Sequence, residues 1–314
     1  MKLVIIEPLG VEKEKLLKMS ADILGEGVDI TYYDTRVSDT ETLISRGKDA
    51  DIILVSNLPM NSDVINGCKN LKLLSVAFTG IDHIAVDTCK KNNVTICNCA
   101  GYSTAAVADL VFGLLIGIYR NISACDRVVR EKGTKNGLVG FEIEGKKFGI
   151  IGTGAIGSRV ALIARAFGAE VYAYSRTCRN IDGVINVDLD TLLSTCDIVS
   201  LHVPLTPDTK GLINEEKLKL MKKNAVLINT ARGPVVDSAA LANALKNNEI
   251  LAAGIDVFET EPPIETTHPI LTAPNILATP HVAFATKEAL EKRGVIVLQN
   301  VRKWLDGTPQ NVMA

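Results

Sequence analysis

Apolar positions along this chain follow two rhythms that take turns. Short runs rich in Val, Ile and Leu occur at Lys2–Glu7, Val28–Tyr33, Asp51–Val55, Lys72–Val76 and Val94–Cys97. Between them lie stretches with helical spacing, such as Val11–Leu24, where Leu16, Leu17 and Ile23 share one side. Short β-branched runs alternating with helical patterns predict parallel βαβ units. The alternation pauses at Ala105–Tyr119, an apolar stretch of a length that suits a helix crossing between two domains. It then resumes at Lys147–Ile151, Glu170–Tyr174, Asp197–Val203, Ala225–Asn229, Leu251–Val257 and Asn275–Ala278. One long helical pattern, Lys287–Leu305, closes the chain, and no strand follows it. Its expected resting place is the N-terminal domain, which would make that domain discontinuous.

At 314 residues the chain has room for roughly two domains. Hydrophobic content of 47% with 22% charged residues describes a globular protein. The formal net charge of -2, with no basic block, argues against nucleic acid as a partner. Ala105–Tyr119 holds Asp109 and is shorter than the roughly 20 apolar residues of a membrane span, so it reads as a buried helix and no membrane partner is expected. The first residues enter a strand-like run with no small-residue cleavage site. The seven cysteines are scattered, and Cys97-Asn98-Cys99 has no second pair at zinc-ribbon spacing. Reduced thiols in a cytoplasmic protein without a metal site are therefore expected.

Gly152-Thr153-Gly154-Ala155-Ile156-Gly157 follows a strand and opens a helix with Val160, Ile163, Ala164 and Phe167 on its apolar side. That context turns a common glycine pattern into a dinucleotide fingerprint. Gly152 would permit the tight turn, Gly154 the approach of a pyrophosphate, and Gly157 close helix–strand packing, with the helix N-terminus facing the phosphates. The next strand runs out at Ser175-Arg176-Thr177. An NAD-selective site would place an acid there for the ribose 2′-hydroxyl. Ser175 does not repel a 2′-phosphate and Arg176 can bind one. The cofactor is thus NAD or NADP, tilted towards NADP.

Three segments of the second half carry candidate chemistry: Asn229-Thr230-Ala231-Arg232-Gly233, Glu259-Thr260-Glu261-Pro262-Pro263 and Thr279-Pro280-His281-Val282-Ala283. Arg232 and His281 each lie just beyond a predicted strand's carboxyl end, where doubly wound sheets bind ligands. Oxidising a 2-hydroxy acid needs a base for the hydroxyl proton, a role suited to histidine. It also needs a cation for the carboxylate, which arginine's planar fork meets bidentately. Of the four histidines, His83 is expected at a surface, His202 in a core or beside the cofactor, and His268 in a structural turn, leaving His281 as the acid/base. Glu261, before Pro262-Pro263, is preferred over Glu259 as the carboxylate beside it.

With these segments in order, the sequence resembles the D-isomer-specific 2-hydroxyacid dehydrogenases over nearly its whole length. Further matching segments are Gly80-Ile81-Asp82-His83-Ile84, Asn98-Cys99-Ala100-Gly101-Tyr102-Ser103-Thr104, His202-Val203-Pro204-Leu205-Thr206 and Gly254-Ile255-Asp256-Val257-Phe258. The resemblance implies that Arg232 binds the substrate, Glu261 supports the histidine and His281 is the acid/base. It implies that Phe78, Thr79 and Gly80 form the substrate loop, with backbone N–H groups around Thr79 and Gly80 on the carboxylate. For the cofactor it points to Thr104, Ala155, Ile156, Val203, Pro204, Thr209, Thr230, Ala231 and Asp256. Two departures stand out: Asp109 where many relatives carry Glu, and Phe78 where many carry Gly.

The expected architecture is α/β, a Rossmann-type dinucleotide domain of about 101–284 inserted into a flavodoxin-like substrate domain of about 1–100 and 285–314. Closure of the cleft would bring Thr79 and Gly80 towards His281. A homodimer through the helix after the hinge is implied, with Tyr102–Asn121 apolar enough to suit it. The substrate is a small 2-oxo or 2-hydroxy acid. Thr279–Thr286 and Ser175–Thr177 are most similar to hydroxypyruvate and glyoxylate reductases. A lactate- or phosphoglycerate-type dehydrogenase, or an NAD(H)-sensing corepressor-like protein on the same fold, are the alternatives.

Overall fold

The computed structural model describes residues 1–177, 179–260 and 263–314; Glu261 of the catalytic expectation lies outside the described residues. The chain divides into two compact units, Met1–Ser103 with Ala285–Ala314, and Thr104–Phe284.

In the first unit five short parallel strands stand in the order β2-β1-β3-β4-β5. They are β1 (Lys2–Ile5), β2 (Asp29–Tyr32), β3 (Ile52–Val55), β4 (Leu73–Val76) and β5 (Thr95–Cys97). Every residue of β3 and β4 is buried. That explains their unbroken apolar runs, since strands covered on both faces have no reason to alternate. Helices α1 (Lys13–Leu24), α2 (Thr40–Gly47), α3 (Ser62–Gly67) and α4 (Val86–Lys91) connect them. This order is the flavodoxin-like one, whose winding reverses between β1 and β3. The terminal helix of this unit, Lys287–Leu305, packs on α1 and β4, and the Ser75 hydroxyl donates to its Val297 carbonyl at 3.0 Å.

The second unit begins with α5 (Thr104–Tyr119) and α6 (Ile122–Arg130). Seven parallel strands then form a sheet in the order β12-β11-β10-β9-β6-β7-β8. They are β6 (Lys147–Ile151), β7 (Glu170–Tyr174), β8 (Val184–Asn186), β9 (Ile198–Leu201), β10 (Val226–Asn229), β11 (Ala252–Ile255) and β12 (Ile276–Ala278). Successive residues of a strand face opposite sides, and two cores result. Ile198, Val226, Ile228, Phe148 and Ile150 pack against α5 and α7 (Ala155–Ala166). Val199, Leu201, Leu227 and Ile151 pack against α8 (Leu189–Thr195), α9 (Glu215–Leu220) and α10 (Ser238–Lys246). With the last helix counted as α11, the two sheets give a mixed α/β molecule with a Rossmann-type second unit. α5 is apolar around most of its circumference because it lies in a core. No single helix among the described residues is long and apolar enough to cross a membrane.

Candidate active site

The carboxyl ends of β6, β9 and β10, neighbours in the sheet, collect most of the cofactor candidates. After β6, Gly152 has φ 99°, and a Cβ there would lie 2.6 Å from the His202 carbonyl oxygen. Gly154 is the N-cap of α7, and nothing among the described residues lies within 4 Å of where its Cβ would point. A Cβ on Gly157 would come 1.9 Å from the Gly152 carbonyl oxygen. The turn is therefore sealed on its inner side and open above Gly154, where a helix N-terminus offers unpaired N–H groups. Two buried hydroxyls at this edge, Thr153 Oγ1 and Thr230 Oγ1, have no partner among the described residues. Buried polar atoms are normally paired, so these hydroxyls suit a polar ligand. Open turn, helix terminus and orphan hydroxyls together fit a nicotinamide dinucleotide.

Val203 is half-buried and Pro204 exposed after β9, and the Thr209 hydroxyl ties this loop together by donating to the Pro204 carbonyl at 2.6 Å. Ala155 and Ile156 open α7, and Thr104 opens α5. After β7, Ser175 is half-buried, whereas the Arg176 side chain is 87% exposed. The Arg176 guanidinium stands 4.0 Å from Asp208, which is also exposed. A pair so wet holds an arginine loosely.

Arg232, Asp256 and His281 follow β10, β11 and β12, three adjacent strands of the sheet. The Arg232 turn is clamped by Asn229, whose side chain accepts from the Ala231 N–H and donates to the Arg232 carbonyl, each at 3.0 Å. Arg232 Nη1 donates to the Ala231 carbonyl at 2.8 Å. His281 adopts φ 55°, the left-handed region that a non-glycine residue seldom occupies. Asp256 holds it there. Its carbonyl accepts the His281 N–H at 2.7 Å. Its fully buried carboxylate accepts from the Thr279 hydroxyl at 2.6 Å and from the Val282 and Ala283 N–H groups at 2.9 Å. Burial pushes this carboxyl above the ordinary aspartate range, against the pull of those donors. The His281 ring meets Phe284 edge-on, centroids 5.6 Å apart.

The other histidines occupy different settings. His202 Nε2 lies 2.9 Å from the Ser200 hydroxyl, and burial drives its imidazole down to about 3 although the residue is only half-buried overall. At neutral pH it is uncharged. His268 binds Glu259 at 2.8 Å and meets the Phe258 ring edge-on. Burial alone would raise the Glu259 carboxyl, but hydrogen bonds from Ser238 and His268 outweigh it and hold it low. Glu259 is thus committed to its own turn. His83 is half-buried, and its carbonyl accepts from Met60 N–H at 3.0 Å.

In the first unit Phe78 ends the buried run of β4, followed by exposed Thr79 and half-buried Gly80. The Phe78 carbonyl accepts from Cys99 N–H at 2.9 Å, and the Thr79 carbonyl from Asn98 Nδ2 at 2.7 Å. Sequence reasoning missed Glu7 and Arg293, both buried here. Glu7 Oε1 accepts three backbone N–H groups, from Ser56, Asn57 and Leu58, while Oε2 faces Arg36 at 2.6 Å. Burial raises the Glu7 carboxyl, with Arg36 and those N–H groups opposing. One signal was available for Arg293: it occupies the same stripe of α11 as Ala289 and Val297, four residues to either side.

Known proteins share this fold. Residues 112–283 match the model for the D-isomer specific 2-hydroxyacid dehydrogenase NAD binding domain. A hydroxypyruvate reductase of Blautia hydrogenotrophica is 35% identical, the match covering 100% of this chain and 99% of that one. A glycerate dehydrogenase of Methylorubrum extorquens is 40% identical over 87% of this chain and 88% of its own. Among solved structures, an acyclic imino acid reductase in complex with NADPH and D-Arg superposes with a TM-score of 0.92 at 33% identity, over the whole of both chains. The chain belongs to the D-isomer-specific 2-hydroxyacid dehydrogenases, oxidoreductases that interconvert 2-oxo and 2-hydroxy acids.

Proposed function

We propose that the chain reduces a short 2-oxo acid of the glyoxylate or hydroxypyruvate type to its D-2-hydroxy acid, with NADP(H) preferred over NAD(H). The observation carrying this reading is the succession of Arg232, Asp256 and His281 on adjacent strand ends, beside a glycine turn open above Gly154. When bound, the reduced nicotinamide supplies a hydride to C2 of the acid. Arg232 grips the carboxylate with its planar fork and polarises the carbonyl. His281 gives its proton to the carbonyl oxygen, so that C=O becomes CH–OH, and takes a proton back in the reverse direction. Glu261 accepts from the imidazole and favours its charged form; the engagement of Glu259 with His268 supports this choice between the two acids. Backbone N–H groups at Thr79 and Gly80 serve the carboxylate, and Phe78 limits the size of the group carried on C2.

Relatives named hydroxypyruvate reductase, glycerate dehydrogenase and glyoxylate reductase support the substrate class. Ser175 and the exposed Arg176 support the phosphorylated cofactor. The reading includes a homodimer, though not through the expected Tyr102–Asn121, most of whose apolar residues are buried; instead Ile122, Val129, Val139 and Phe141 are 51%, 73%, 89% and 46% exposed, apolar surface that a second copy would cover. Initial rates with glyoxylate, hydroxypyruvate, pyruvate and 2-oxoisocaproate, each with NADPH and NADH, test the reading. The highest kcat/KM is expected for one of the first two acids with NADPH. A preference for pyruvate or the branched acid would reassign the substrate, and no turnover with any would overturn the reading.

A further inference from the structure

The first unit ends its strands in an unusual way for a core: with two buried charges. Arg293 of α11 is 3% exposed, yet its guanidinium sits at the carboxyl edge of the sheet among β1, β3 and β4. It donates to the Leu9 carbonyl, and Nη1 lies 3.4 Å from the Ser56 hydroxyl. Its central carbon stands 5.9 Å from the Phe78 ring centroid and 5.8 Å from that of Tyr102. Those two rings are tilted at 56° to each other with centroids 6.2 Å apart, and both are buried. The β1–α1 loop is moulded on this group: at Gly10 a Cβ would come 2.7 Å from Nη2. Ser56 is shared between the charges, its N–H on Glu7 and its hydroxyl on Arg293.

A buried guanidinium is costly unless its surroundings are fixed to meet it. Cation–π contact and hydrogen bonds are directional, whereas an aliphatic side chain in the same place would let the rings shift at little cost. The group held in this way is Phe78, the residue directly before Thr79 and Gly80, at the winding edge where doubly wound sheets receive ligands.

We propose that Arg293 is a positioning residue for substrate selectivity: by clamping Phe78 against Tyr102 from behind, it keeps the substrate loop from yielding to long or branched 2-oxo acids. The proposal rests on the reading of Phe78–Gly80 as the substrate loop. Arg293 touches neither substrate nor cofactor in this role. Its loss leaves the chemistry intact and relaxes the size limit.

The test is the ratio of kcat/KM for hydroxypyruvate to that for 2-oxoisocaproate, in wild type, Arg293→Met, Arg293→Lys, Ser56→Ala and Phe78→Ala. The concentration of active enzyme cancels from this ratio, so a merely structural role, which lowers the folded fraction, leaves it unchanged. Arg293→Met is expected to lower the ratio roughly 10-fold or more, the scale on which apolar pockets discriminate by size. Arg293→Lys should recover part of it, and KM for the nicotinamide cofactor should stay within about twofold. If Arg293→Met does not fold, Ser56→Ala, which deletes one hydroxyl, is expected to lower the ratio roughly 2- to 10-fold, the range for a single hydrogen bond. A ratio unmoved in Arg293→Met, or in Ser56→Ala when the former does not fold, overturns the proposal. If Phe78→Ala moves the ratio while the Arg293 variants do not, only the clamp is wrong; if Phe78→Ala also leaves it unmoved, the substrate-loop reading fails with it.

Discussion

At the scale of single residues, the proposed acid/base His281 is held through its backbone. A left-handed conformation costs a non-glycine residue on the order of 1 kcal/mol or more, and Asp256 offsets that with four hydrogen bonds to the 279–283 turn. Resemblance alone makes Asp256 a cofactor contact; its carboxylate already serves three donors within this turn. In Asp256→Asn one oxygen becomes an NH2 group that faces a donor, and the turn loses its anchor. We expect kcat to fall about 10-fold or more, in line with the penalty for an unpaired buried donor, while NADPH affinity measured by fluorescence titration holds. His281→Gln sets the scale for complete loss, about 10²–10⁴-fold. A weakened NADPH affinity with normal kcat in Asp256→Asn would return the residue to the cofactor. The strand-end positions of Arg232 and His281 were legible because the apolar runs that precede them are local in sequence. The Asp256 tether and the buried pair Glu7 and Arg293 were not, since each depends on partners 23 to 284 positions away.

Elements were more legible than contacts. Every apolar run singled out as a strand contains one, most plainly β3, β4, β9, β10 and β11, whose residues are all buried. The exception, β8, has only three residues, Val184–Asn186, two of them exposed at the sheet's edge, so it leaves no hydrophobic run to read. In the proposed reading the turn after β7 carries the cofactor preference. There Ser175→Asp would set a carboxylate against a 2′-phosphate, and NADPH affinity should fall roughly 10- to 100-fold more than NADH affinity, the worth of a charge-assisted hydrogen bond. Equal effects on both cofactors would show that the ribose 2′ position lies elsewhere. At the end of β9, His202 links this region to acid stability. Unfolded, its imidazole takes a proton below about 6.5; folded, burial withholds it until about 3. The unfolded state therefore binds the extra proton in that window. The neutral ring's contribution is fully present above about 6.5 and is lost as pH falls towards 3. His202→Gln, which cannot be protonated, should flatten the decline of Tm between pH 6.5 and 4. A decline as steep as in the wild type would assign acid sensitivity to other groups.

For the whole molecule, the decisive surface is that of α6 and the segment after it. α6 has no buried residue, yet it presents Ile122 and Val129 to solvent, and Val139 and Phe141 follow within a few turns of chain. Phe141 also packs on Tyr119 of α5 at 5.5 Å between centroids, so the exposed apolar surface continues from a firmly packed helix. Arg120, Asp126, Arg127 and Arg130, all exposed, lie in the same stretch of chain. Exposed apolar residues interspersed with charged ones suit a protein interface. The proposed homodimer then has a mass of twice 33.7 kDa. Val129→Glu combined with Val139→Glu would bury two carboxylates in each copy's contact, and desolvating an unpaired charge outweighs what a modest apolar patch contributes. Sedimentation equilibrium at micromolar protein is expected to give the dimer mass for the wild type and the monomer mass for the double variant. Both substituted side chains are at least 73% exposed in the single chain, so the thermal midpoint of the variant at low concentration should stay near that of the dissociated wild type. A wild type that sediments as a monomer would leave this surface for another partner; a double variant that stays dimeric would move the contact to another face.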